Sequence, residues 1–155
     1  MPQTNLHLPE IRDPQISNRA TLEVGPLYLR LKESTARVIA LVGGVRSGKT
    51  YAIAQYLNEC LRTDEAEKIE IVRATMPALK ATAMEDFFSI MMDLGMYDED
   101  KHNKTDQIYR EGRNSAGFFP VDDQQKLRGR KRGRLWVNEA NEIEYDEFKQ
   151  LALRT

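Results

Sequence analysis

The run Gly43-Gly44-Val45-Arg46-Ser47-Gly48-Lys49-Thr50 sets two glycines, a lysine and a hydroxyl in the spacing G-x-x-x-x-G-K-[ST]. Glycines let a backbone turn tightly enough for successive N–H groups to converge on one anion. A helix starting at the end of the loop adds its dipole and its unpaired donors to the same anion. In such a loop Lys49 brings a mobile charge to the β- and γ-phosphates of a nucleotide, and the Thr50 hydroxyl is the expected ligand of Mg2+. The chemistry indicated is binding of ATP with Mg2+ on a phosphate-binding loop spanning Gly43, Gly44, Val45, Arg46, Ser47, Gly48, Lys49 and Thr50. Arg46 is a second cation inside this loop. It has two readings, contact with the γ-phosphate or an ordinary surface arginine.

Hydrolysis also needs a group that organises the metal and a base, delivered by a neighbouring strand. Leu135-Trp136-Val137-Asn138-Glu139-Ala140 is an apolar strand tip that ends in two polar residues, about 90 positions beyond Lys49. Glu139 is a carboxylate placed to accept a proton from water. Asn138 offers an amide that accepts a hydrogen bond from metal-bound water without neutralising charge. The plainer reading of Asn138-Glu139 is a strand-to-helix turn; following a complete phosphate loop, the catalytic reading is the favoured one.

These residues need elements to hold them. Arg37 to Val42 is a β-branched, apolar run bounded by glycine, the pattern of a buried parallel strand entering the loop. Ile53, Leu57, Cys60 and Leu61 recur at helical spacing over Thr50–Leu61. Ile69-Glu70-Ile71-Val72-Arg73 predicts a second strand. Pro77 suits the first turn of a helix whose apolar face is Met84, Phe87, Phe88, Met91 and Leu94, ended by Gly95. Positions 96–106 form a polar loop. Gln107–Arg110 and Ala116–Pro120 predict a hairpin, and Leu135–Val137 a short strand. A last helix carries Tyr145, Phe148 and Leu151 on one side. Residues 1–20, with Pro2, Pro9 and Pro14, read as an extended arm; residues 21–155 form the α/β unit. Trp136 and Cys60 read as core. The acidic run Asp98-Glu99-Asp100 is a polar loop beside Lys101 and Lys104 rather than a metal cluster.

The chain of 155 residues carries 23 basic and 24 acidic side chains, a net charge of −1, so any nucleic-acid contact must come from a local patch. The one such patch is Lys126, Arg128, Arg130, Lys131, Arg132 and Arg134. It reads either as a track for a DNA backbone, through Arg128, Arg130, Lys131 and Arg132, or as a solvated loop. The apolar stretch Val38 to Val42 is too short to span a bilayer, and the N-terminus lacks the pattern of a secretory signal. A single cysteine excludes an internal disulfide and fits a reducing compartment.

The loop Gly43–Thr50, together with Lys126-Leu127-Arg128-Gly129 and Leu135-Trp136-Val137-Asn138-Glu139-Ala140-Asn141-Glu142-Ile143, resembles the large terminase subunit of tailed bacteriophages. The resemblance runs from about Ile39 to Arg154 and includes the Ile71-Val72-Arg73 strand with Leu79-Lys80 beyond it. It implies a P-loop NTPase fold, a three-layer α/β/α sandwich on a mostly parallel sheet, here truncated on its C-terminal side. No nuclease domain is expected in this length. It implies an ATPase that drives double-stranded DNA into a prohead, with Arg46 beside the γ-phosphate, Lys49 and Thr50 on phosphates and Mg2+, Glu139 as the catalytic carboxylate, and Asn138 reaching the metal through water. Asn138 departs from the aspartate commonest in that family. The implied partners are DNA, a terminase small subunit and a portal protein, with an oligomer in the packaging motor and no membrane, in the cytoplasm of the infected bacterial host. Two rival functions share these motifs: a helicase-like or other DNA-translocating ATPase, and a non-catalytic nucleotide- or DNA-binding fragment.

Overall fold

The computed structural model describes residues 24–44, 47–63, 67–121 and 133–153. The predicted arm, Val45, Arg46, and the basic residues Lys126, Arg128, Arg130, Lys131 and Arg132 lie outside the described residues.

Strand β1 (Lys68–Arg73) lies inside a sheet of order β2-β3-β4-β1-β5, with β2 at His102–Asn103, β3 at Ile108–Glu111, β4 at Asn114–Pro120 and β5 at Arg134–Val137. β1 pairs in parallel with β4 on one side and β5 on the other, whereas β3 runs antiparallel to both β2 and β4. The sheet is therefore mixed, with its parallel part confined to the three strands nearest the candidate site. The hairpin turns at Gly112-Arg113, narrower than the predicted connection, and Gly112 takes a positive φ of 57° that favours glycine.

Alternation along β1 sends Ile69 and Ile71 to one face and Val72 to the other. On the first face they join Leu57, Leu61, Phe87, Phe118 and Trp136 in the larger core. On the second face Val72 meets Phe119, Val121 and Leu151. The helices follow this division. α1 (Pro26–Glu33) packs on α2 (Lys49–Cys60), and α2 packs against α4 (Glu85–Asp93), which is continuous with α3 (Met76–Leu79) through a π-helical stretch at Lys80–Met84. α5 (Tyr145–Ala152) supplies Leu151 to the opposite face. Helices thus cover both faces, as the sandwich reading requires.

Pro26 and Pro77 occupy first turns of their helices, where the missing N–H costs no hydrogen bond. Cys60 and Trp136 are core residues, as their patterns predict. Buried polar groups lock the helical layer: Asn58 donates to the carbonyls of Ala54 and Phe87, tying α2 to α4. Asn114 accepts the Glu67 N–H at 2.6 Å and donates to the carbonyls of Leu61 and Thr63, tying the end of α2 to the start of β1.

Three expectations are corrected. Positions 96–106 are not loop throughout, since Glu99–Lys101 form a 3-10 turn and His102–Asn103 pair with β3. Arg37 to Val42 forms no strand: residues 38–44 are irregular, and Val38, Ile39 and Val42 are 65%, 43% and 96% exposed. A strand exists only through a partner ladder, and none of the described strands pairs with this run. Tyr145 is 74% exposed rather than on the buried side of its helix, where Leu151 alone is fully enclosed.

Candidate functional site

The last residues of the glycine loop open α2. Gly48 is its N-cap at φ 75°, ψ 7°, a left-handed conformation that a side chain would strain. No side chain caps this end, and the first turn of any α-helix leaves its leading N–H groups without intrahelical partners. Those donors, with the positive end of the helix dipole, are the anion-binding element expected from the motif.

Lys49 folds back into the loop. Its Nζ donates to the carbonyls of Gly43 and Gly44 and to Ser47 Oγ, each at 2.8 Å. A Cβ placed on Gly43 would lie 3.7 Å from both Lys49 Nζ and Ser47 Oγ, in ordinary van der Waals contact with the folded-back ammonium. Among the described residues of the loop, the Lys49 ammonium is thus held by three oxygen atoms. These groups suit a phosphate: a cation beside the leading N–H groups of a helix. Thr50, the expected metal ligand, is the second residue of α2.

At the tip of β5 the ladder continues for one residue, with Asn138 N–H donating to Val72 O at 2.8 Å. Asn138 is buried, and Glu139 beside it is exposed. Glu139 sits at φ 55°, ψ 60°. The left-handed region costs a residue with a Cβ about 1–2 kcal/mol, and such strain concentrates at functional positions. Among the described residues the Glu139 carboxylate accepts no hydrogen bond, which leaves both its oxygens free for a ligand or water.

A cation clamps this turn. Arg73, the last residue of β1, donates from Nε and Nη2 to the two oxygens of Glu142, at 2.9 and 2.7 Å, and from Nη1 to Thr82 Oγ1 at 2.9 Å. Thr82 Oγ1 gives its proton to Ala78 O at 2.8 Å and lies 3.4 Å from Asn138 Oδ1. The hydrogen bond with Arg73 holds the Glu142 carboxyl below the usual carboxylate range, and the same bond raises Arg73. Arg73, Thr82 and Glu142 escaped sequence reasoning. Glu142 stands inside the run of the acidic motif and Arg73 ends a predicted strand, but nothing in the pattern joins two residues 69 positions apart.

The end of α2 lies beside the start of β1, where Asn114 joins the Leu61 and Thr63 carbonyls to the Glu67 N–H, and Leu57 and Leu61 share the larger core with Ile69 and Ile71. The Asn138–Glu139 turn stands at the C-terminal end of β5, the end at which open α/β sheets bind ligands. Arg134, counted with the basic patch in the sequence, is already engaged. It pairs with Glu67 at 2.7 Å and donates to Tyr56 Oη at 2.6 Å, joining β5 to the flank of α2. Asp98 accepts the Asp100 N–H and faces Lys101, and no group of three or more metal-ligating side chains occurs among the described residues. Nor is any helix among them long and apolar enough to cross a membrane.

Helices on both faces of a sheet whose strands β4, β1 and β5 run parallel place the chain in the α/β class. Within that class the chain belongs to the phage terminase large subunit family, whose model matches residues 35–155. Two solved structures are similar in fold, both of the large terminase from a thermophilic bacteriophage. Crystal form 2 superposes with a TM-score of 0.65 at 15% identity, covering 86% of this chain and 36% of that one. Crystal form 3 gives 0.62 at 14%, covering 85% and 35%. The chain spans about a third of the length of those large terminases. No curated protein sequence matches it.

Proposed function

We propose that this chain is the nucleotide-binding part of a terminase motor that hydrolyses ATP to drive double-stranded DNA into a prohead. The observation that carries this reading is the loop folded onto the Lys49 ammonium at the N-terminus of α2. Lys49 and the leading N–H groups of α2 would hold the phosphates, with Arg46 a further cation in the loop. Thr50, and Asn138 through a water, would hold Mg2+, which supplies positive charge to phosphate oxygens when bound. Glu139 accepts a proton from the attacking water; its exposure and free oxygens suit a base that must meet solvent. Arg128, Arg130, Lys131 and Arg132 supply phosphate-directed contacts to DNA, which are independent of base sequence. Family membership supports the packaging role, and with it DNA, a small subunit and a portal as partners in an oligomeric motor.

Titration of a fluorescent ATP analogue against wild type and Lys49→Ala tests the loop, and single-turnover hydrolysis by Glu139→Gln tests the base. Lys49→Ala is expected to abolish measurable affinity. Glu139→Gln is expected to keep ATP bound and stop hydrolysis. Equal affinity in the first case removes the loop assignment; wild-type hydrolysis in the second moves the base elsewhere.

A further inference from the structure

We propose that Arg73 and Glu142 act as one positioning unit that fixes the Asn138–Glu139 turn for hydrolysis, with Thr82 as its anchor on the π-helical stretch. The inference rests on Glu139 being the base.

The turn leaves β5 at Asn138, whose N–H is the last ladder bond to β1. It then passes through Glu139 in a left-handed conformation and closes as one 3-10 turn over Ala140–Glu142, with Glu142 N–H donating to Glu139 O at 2.9 Å. Only the front of this loop is held by the sheet. Its rear is held by the fork from Arg73 to both oxygens of Glu142. Arg73 cannot follow the turn if the turn moves, because its own carbonyl accepts the Val121 N–H and its Nη1 is fixed to Thr82. Thr82 is in turn tied to the Ala78 carbonyl. The clamp therefore references the base to β1, β4 and the helical layer at once.

The fork also sets where charge lies. Arg73 is close enough for Glu139 to act on it electrostatically. Its forked ion pair goes to Glu142, and Glu139 forms no ion pair with it among the described residues. An ion pair of purely structural value would add stability without touching the chemical step. A positioning pair acts on the rate of the step and leaves nucleotide affinity alone.

The test is a double-mutant cycle on the full chain, Arg73→Ala, Glu142→Ala and the double variant. Single-turnover hydrolysis of radiolabelled ATP is measured with protein in excess, recording both the maximal rate and the ATP concentration at half-maximal rate. Each single variant should lose about tenfold in rate with the half-saturating concentration unchanged within about twofold, and the double variant should lose no more than either single. Arg73→Lys, which keeps the charge and loses the fork, should fall between wild type and Arg73→Ala. Losses that multiply to about a hundredfold in the double variant, or a rate equal to wild type in the singles, overturn the proposal. So does a loss that appears wholly in ATP affinity or follows the fraction unfolded in a thermal melt. Lys49→Ala and Glu139→Gln run alongside: if the wild type itself neither binds nor hydrolyses ATP, it is the ATPase reading that fails, and the clamp falls with it.

Discussion

Glu139 stands where a glycine would be more comfortable, and Glu139→Gly should stabilise the protein while removing its base. With φ 55° and ψ 60°, the residue bears the left-handed penalty of a Cβ, about 1–2 kcal/mol. Its side chain is exposed and accepts no hydrogen bond among the described residues, so little packing or pairing is lost with it. Against the relief stands the added freedom of glycine in the unfolded chain, about 0.5–1 kcal/mol. The difference is a gain of about 0–1.5 kcal/mol, centred near 0.75, which for a domain of this size moves the thermal midpoint upward by about 2–3 °C at the centre of the range. The control is Glu139→Ala, which removes the same carboxylate, keeps the Cβ and therefore keeps the strain. Differential scanning fluorimetry on the three proteins, repeated as urea titrations to read the midpoint at constant slope, measures the effect. The expected order of stability is Gly above Glu and Ala, with both variants inactive in single-turnover hydrolysis. If the glycine variant melts at or below the alanine variant, the turn does not impose the left-handed conformation, and the strain assigned to the site is not there.

Two further outcomes follow from charge. Replacing Arg130, Lys131 and Arg132 together by alanine should weaken DNA binding and flatten its salt dependence, because fewer counterions are released; an unchanged slope in filter binding leaves the stretch a solvated loop. Glu142 has its folded-state carboxyl lowered by Arg73, so its stabilisation is present above the ordinary carboxylate range and is lost as pH falls through the lowered value. Because the pair is partly exposed, the loss should stay under about 1 kcal/mol, seen as a urea midpoint that drops more on acidification in wild type than in Glu142→Gln; equal drops would show that the fork carries no linkage.

Much of the architecture is legible in the sequence because it rests on local pattern. The alternation in Ile69–Arg73, the apolar Leu135–Val137, the hairpin around Gly112 and the helix opened by Pro77 each carry their own signal, and each element forms. What the sequence hides is set by partners distant along the chain. Arg37 to Val42 has the composition of a buried strand, yet composition supplies no neighbour to bond with, and the run stays irregular and exposed. The π-helical stretch at Lys80–Met84 carries Thr82, whose hydroxyl bonds back to Ala78 and receives Arg73; no periodicity records that bond. The left-handed backbone at Glu139 is likewise invisible, since glutamate gives no hint of positive φ. For the candidate site, the residue types of the glycine loop and the strand tip stand out in the sequence, while the clamp that holds the strand-tip turn to the fold does not.

The two halves of the site share one physical feature: each is held in its geometry by protein groups that a ligand must displace or leave in place. An ammonium has three donors, and in Lys49 all three are taken, by Gly43 O, Gly44 O and Ser47 Oγ. A phosphate oxygen arriving at Lys49 exchanges one of these bonds for a charge-assisted one, so the net gain is the difference between the two and not the whole strength of the new contact. The freed carbonyls must then find water or move, which ties nucleotide entry to rearrangement of the glycine loop. At the other half no such exchange is needed. Among the described residues the Glu139 carboxylate accepts no hydrogen bond, and the neighbouring Arg73 gives one N–H from each of its three nitrogens to Glu142 and Thr82. On the proposed function, nucleotide binding would reshape the glycine loop, whereas the turn at Asn138–Glu139 would keep the clamp that already holds it.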